Sequence, residues 1–152
     1  MKVIKDQIIM FLVMILVGMG FNPMNILAYK INHLYISKTL FYGGILMASN
    51  MLWAHEIVHY LQGHSSNINI FITGIILSIL TSKFLLREQF NIDSTQWLKR
   101  MIPHHSTALT TTNKLLENRN INKNSKLYKL ARDIIIQQEK EIIIMKNLIK
   151  NK

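Results

Sequence analysis

Residues 8–21, IIMFLVMILVGMGF, carry no charge, and two more long apolar stretches follow before position 90. An uncharged stretch of about 20 residues is the length that crosses a bilayer as a helix. A secretory leader would pass the same inspection. However, no small-x-small cleavage site follows the first stretch, and further apolar segments come after it. We therefore read three spans. The first covers residues 8–29 and ends before Lys30, with Pro23 kinking or ending the helix. The second is 39–62, TLFYGGILMASNMLWAHEIVHYLQ, and the third is 68–86, INIFITGIILSILTSKFLL.

The second stretch has its own internal pattern. Gly44 and Ala48 form a small-x-x-x-small pair, which lets a neighbouring helix come close. Met47, Met51, His55 and His59 recur every fourth residue and fan around one side of a helix. This stripe reads either as ordinary helix packing or as a row of soft ligands. In the third stretch, Thr73, Ser78 and Thr81 can return their hydroxyl bonds to the helix's own carbonyls.

Charge is distributed unevenly. Residues 1–90 hold 6 basic and 3 acidic side chains, and residues 91–152 hold 12 and 5, giving +3 and +7. Such basicity suits either nucleic acid or an anionic membrane surface. No RNP, zinc-finger or basic-zipper pattern supports nucleic acid, so the lipid bilayer is the expected partner. Three spans place the termini on opposite sides. Lys2 and Lys5 flank the N-terminal side and the loop 63–67, GHSSN, lacks Lys and Arg, whereas Lys30, Lys38, Lys83 and Arg87 flank the other side. The positive-inside rule then puts the C-terminal unit in the cytoplasm. With no cysteine, soft metal ligands must come from 9 Met and 6 His.

The chain thus divides into a membrane domain, 1–90, and a helical hairpin, 91–152. Asp93 followed by Gln96 has the form of a capping box and starts a helix that runs to about Glu117 through Pro103. Residues 118–124 are the loop, and Ser125 caps a last helix from Lys126 to about Lys150. Both helices carry apolar stripes at spacings of three and four. Folding the hairpin about its loop brings His104 opposite Gln138 and Met101 opposite Glu141, with Met145 one turn beyond.

The residues of that junction, Met101-Ile102-Pro103-His104-His105 and then Gln138, Glu141, Ile142 and Met145, resemble the DUF305 family of small, ferritin-like helical proteins. A Met-rich span, an Arg-x-Gln at the end of the third span (Arg87 and Gln89) and Trp97 before the motif resemble its membrane-anchored branch. The resemblance covers roughly residues 35–150. It implies an all-α chain, three transmembrane helices followed by half of a ferritin-like bundle. It also implies a copper ion or another soft metal held by Met101, His104, His105 and Met145, with Gln138 and Glu141 as orienting or weaker ligands. Two positions depart from the family pattern: Thr111 stands where a methionine is common, and Ser94 stands where an acidic residue precedes the Trp.

Two other readings compete with copper binding. In one, the polar set only fixes helix register, and the protein is a structural or interaction module. In the other, His55-Glu56-Ile57-Val58-His59 is a zinc hydrolase motif, with two imidazoles on one helical face and a carboxylate to activate water. No Asp lies within any span to complete such a site, so the chain is expected not to be an enzyme. Two helices make half of a four-helix bundle, so a homodimer through the C-terminal hairpin is expected.

Overall fold

The computed structural model describes residues 2–117 and 121–151. The described residues form helices and no strand. The loop expected at 118–124 lies partly outside them, at 118–120. The longer elements are α1 (Lys2–Gly20), α2 (Lys38–Leu61), α3 (Ile68–Leu80), α4 (Ser94–Glu117) and α5 (Lys126–Lys150).

The chain forms two compact units, and both are discontinuous. The first joins residues 1–22 to 38–92 and contains α1, α2 and α3. Small residues set its packing. A Cβ added at Gly44 of α2 would lie 2.8 Å from the Ile15 carbonyl oxygen of α1, and one at Gly18 would lie 3.0 Å from the Gly44 Cα. The small-residue pattern read from the sequence is therefore the contact between α1 and α2. Gly74 of α3 meets the other side of α2, where a Cβ would lie 2.8 Å from the Trp53 backbone nitrogen. Ala48 and Ser49 are fully buried, and the Ser49 hydroxyl returns to the Ile45 carbonyl at 2.8 Å. The Ser78 hydroxyl does the same to Gly74 at 2.9 Å.

The outward sides of α1 and α3 are apolar and exposed, with Leu16 at 69% and Ile79 at 59%. Two segments, Ile4–Ile26 and Ile68–Arg87, are long and apolar enough to cross a membrane, and the first lies near the N-terminus. The second expected span, α2, does not meet the same measure. Its last turns carry His55, Glu56 and His59, which lower its apolar content. The first expected span also ends early as a helix. Its regular bonds stop where the Phe21 N–H meets Val17, because Pro23 brings no donor to continue them.

Beyond Leu80 the chain widens into π-helical turns, Thr81–Arg87, closed by the Glu88 N–H on Lys83 at 3.0 Å. A tight reversal follows, with Gln89 and Asn91 in the left-handed region. The Tyr42 hydroxyl and the Lys38 ammonium of α2 hold that reversal by its Phe90 and Asn91 carbonyls, each at 3.0 Å.

The second unit joins residues 23–37 to 93–152. Asp93 caps α4 by accepting the Gln96 N–H at 2.8 Å, and Ser125 caps α5 through Tyr128 at 3.1 Å. The helix continues through Pro103, which is buried. The core between the helices is Leu98, Ile102, Leu109, Ile142 and Met145, with Tyr35, Met101, Ile135 and Ile149 packed against it. Residues 23–37 form a short turn, Pro23–Ile26, and a 3₁₀ turn, Ile31–His33, separated by irregular backbone. Two adjacent hydroxyls of α4 anchor them. Ser106 Oγ accepts the Tyr29 N–H at 2.7 Å and lies 2.9 Å from His33 Nδ1. The Thr107 hydroxyl reaches the Met24 carbonyl at 3.2 Å.

Candidate metal centre

The last turns of α2 bring His55, Glu56 and His59 together. Residues four apart share a helical face, and the two imidazole rings lie 4.1 Å apart by centroid. Glu56, about 100° further round, turns inward and is 4% exposed. One donor atom from each of the three residues falls within 4.8 Å of the others. That spacing suits three ligands on one ion.

Neighbouring elements fix these side chains. Asn67 uses both of its ends. Its side chain caps α3 by accepting the Asn69 and Ile70 N–H groups, and its backbone N–H donates to Glu56 Oε2 at 2.6 Å. A backbone donor thereby satisfies one oxygen of this buried carboxylate. The other oxygen, Oε1, lies 3.9 Å from His55 Nδ1. From α1, Gln7 Nε2 approaches the same nitrogen at 3.3 Å, while Gln7 Oε1 is buried with no partner among the described residues. Beside the cluster is a cavity of about 450 Å³ lined by Gln7, Glu56, His59, Ser65, Ser66 and Asn67. The motif itself was legible in the sequence. The roles of Gln7 and Asn67 were not, because their contacts depend on how three helices pack. The Asn immediately before the apolar run at Ile68 was the one available signal, as a helix cap.

In the hairpin, His105 and Glu141 meet, with Nδ1 and Oε2 2.9 Å apart. The register differs by one helical turn from the expected pairing, which set Met101 opposite Glu141. The approach is off the line of a hydrogen bond, and Nδ1 has no aligned partner among the described residues. Burial holds the His105 pKa below its ordinary value; Glu141 opposes that shift, and His104 adds to it. Glu141 also accepts from Gln137 at 2.7 Å, the residue next to the Gln138 singled out in the sequence. Gln138 is half-buried. Met101 and Met145 join the same apolar core. His104 is exposed, its ring 5.9 Å from that of His105.

His33 is a third buried imidazole, 6% exposed and set against Ser106. Burial first, then the nearby Lys146 and Lys30 ammonium groups, push its pKa down to about 4. It is therefore neutral at physiological pH. A lone histidine in an irregular segment carries no periodic signal, so the sequence by itself does not single it out.

Residues 87–150 match the family described as "Domain of unknown function (DUF305)". The chain is also 30% identical over 145 residues to Uncharacterized protein L153 of Acanthamoeba polyphaga mimivirus, an alignment covering 95% of this chain and 92% of that protein. No solved structure matches the chain.

Proposed function

The chain belongs to the DUF305 family, and on that premise we propose that it is a multi-pass membrane protein that binds a divalent metal ion at His55, Glu56 and His59 without catalysing a reaction. The observation that carries this reading is the convergence of the three donor atoms within 4.8 Å around a carboxylate that is almost wholly buried. Two imidazoles and one carboxylate favour a borderline ion such as zinc over copper(I), which prefers sulfur.

The membrane part of the reading rests on the exposed apolar sides of α1 and α3. We take α2 to cross the membrane with them. It packs between them inside the first unit, with Gly44 against α1 and Gly74 of α3 against its other side. A helix flanked by protein on two sides needs less apolar surface than its neighbours. The basic residues flanking the spans favour a cytoplasmic C-terminal unit.

The non-catalytic part rests on Glu56. A carboxylate that itself ligates the ion is not available as the base that takes a proton from water. Here Oε2 is occupied by the Asn67 N–H at 2.6 Å, and Oε1 is the oxygen left for the ion.

Copper or another soft ion at the hairpin is the second reading, favoured by one observation. His105 Nδ1 lies 2.9 Å from Glu141 Oε2, which sets a carboxylate beside one ring nitrogen and leaves the other nitrogen for a metal. Elemental analysis of the full chain purified in detergent separates the two. One zinc equivalent should be lost in His55→Ala/His59→Ala and retained in His104→Ala/His105→Ala. Copper retained by the first variant and lost by the second would transfer the function to the hairpin. Metal-free wild type would remove both readings.

A further inference from the structure

α2 ends in a backbone arrangement that returns the chain over its own last turn. Gly63 has φ +73°, its N–H bonds the Tyr60 carbonyl at 3.1 Å, and the His64 N–H bonds the His59 carbonyl at 3.0 Å. These two bonds and the left-handed glycine define a Schellman cap. Only glycine takes that conformation without cost, so the sequence His59-Tyr60-Leu61-Gln62-Gly63-His64 encodes it directly.

The cap has a consequence for the metal centre. In a Schellman cap the residue after the glycine packs against the residue five positions earlier, and helices ordinarily place an apolar pair there. This chain places two imidazoles there. The rings of His59 and His64 lie 5.9 Å apart, edge to face at 75°. The His55 and His59 rings lie 4.1 Å apart by centroid, tilted by 50°. His59 thus has one imidazole of its own helix and one of the following loop beside it, and its donor atom already lies within 4.8 Å of those of His55 and Glu56. His64 is exposed, so its side chain is free to turn toward its neighbours. The buried, unpartnered Oε1 of Gln7, whose amide already touches His55, is a second sign that the cluster lacks a component.

Building on the divalent-metal reading above, we propose that His64 is the fourth protein ligand. The site then takes three imidazoles and one carboxylate in a closed tetrahedral arrangement, the donor number of a zinc-class ion held without an open position for substrate. The ion would bridge the end of α2 to the loop that leads into α3 and so join the two helices at that end.

The test uses the full chain in detergent, with zinc affinity measured by competition against a chromogenic chelator and the visible spectrum recorded with cobalt(II) in place of zinc. Two variants are compared with wild type. His64→Ala removes the imidazole, and His64→Phe removes it while keeping the ring contact that a Schellman cap prefers. We expect both to bind zinc at least tenfold more weakly and to lose the intense visible bands of tetrahedral cobalt. Unchanged affinity and spectrum in both variants, with wild type still binding, would overturn the role of His64 alone. A wild type that binds neither ion would overturn the metal centre together with it.

Discussion

The Nδ1 of His105 lies 2.9 Å from Oε2 of Glu141, on the facing helix, yet no aligned hydrogen bond joins them. Two opposing effects act on that imidazole. Burial disfavours its charged form, and the carboxylate favours it. Burial prevails, so the His105 pKa stays below its ordinary value despite the carboxylate. In Glu141→Gln the stabilising charge is gone, and the His105 pKa should fall further. In His104→Ala the contribution of that neighbour, which lowers the His105 pKa, is gone, and the pKa should rise. Histidine ring resonances followed through a pH titration measure both. A rise in the Glu141→Gln variant would contradict this account of the pair.

His33 should make the second unit sensitive to acid. Its folded pKa of about 4 lies below the ordinary 6.5 of an unfolded chain. Between those values the unfolded chain takes up a proton that the folded one refuses. Stability is therefore complete above pH 6.5 and falls progressively as the pH drops toward 4. The Lys30 and Lys146 contributions act partly through solvent, so the loss should be about 2 kcal/mol rather than the full value of the shift. His33→Gln keeps a partner for Ser106 and removes the titration. Urea denaturation at neutral and acidic pH, followed by Trp97 fluorescence in a Trp53→Phe background, should show a flatter pH dependence in that variant. An unchanged slope would assign the acid sensitivity to other groups.

The adjacent glycines of α2 should respond oppositely to substitution. Gly44→Ala places a methyl group 2.8 Å from the Ile15 carbonyl, closer than packed atoms allow, whereas a Cβ at Gly43 meets nothing within 4 Å. We expect Gly44→Ala to destabilise the first unit by about 1–3 kcal/mol. Gly43→Ala should be neutral or stabilising by up to about 1 kcal/mol through helix propensity. Thermal melting in detergent checks the pair. Equal effects at both positions would mean that α1 does not pack on this face.

Glu56 should divide into a structural and a metal-binding role. Glu56→Gln keeps an oxygen to accept the Asn67 N–H, which Glu56 now holds at 2.6 Å, but loses the negative charge. Zinc affinity should drop at least tenfold while the melting temperature of the metal-free protein stays close to wild type. Glu56→Leu removes the acceptor of the Asn67 N–H altogether. Its metal-free form should melt lower as well. Zinc binding unaffected by Glu56→Gln would restrict the ligand set to the histidines.

Much of the local structure was legible without coordinates. Asp93 and Ser125 marked two helix starts, Gly44 marked a close helix contact, and His55-Glu56-Ile57-Val58-His59 placed two imidazoles on one face. The family was likewise readable from Met101 to Met145. These signals are caps, periodicities and spacings, and they act within about one or two helical turns, so the order of residues determines them directly. The rest depended on packing between distant segments. Residues 23–37 lie in a unit with α4 and α5 because Tyr29 and His33 find Ser106 more than seventy positions away. His105 rather than Met101 meets Glu141 because the core of Leu98, Ile102, Ile142 and Met145 sets the helix register. Glu56 is buried because the N-terminus of α3 supplies the Asn67 donor. No local pattern records such pairings. They follow from which side chains fill the space between helices once the helices have formed, and tertiary packing alone decides that.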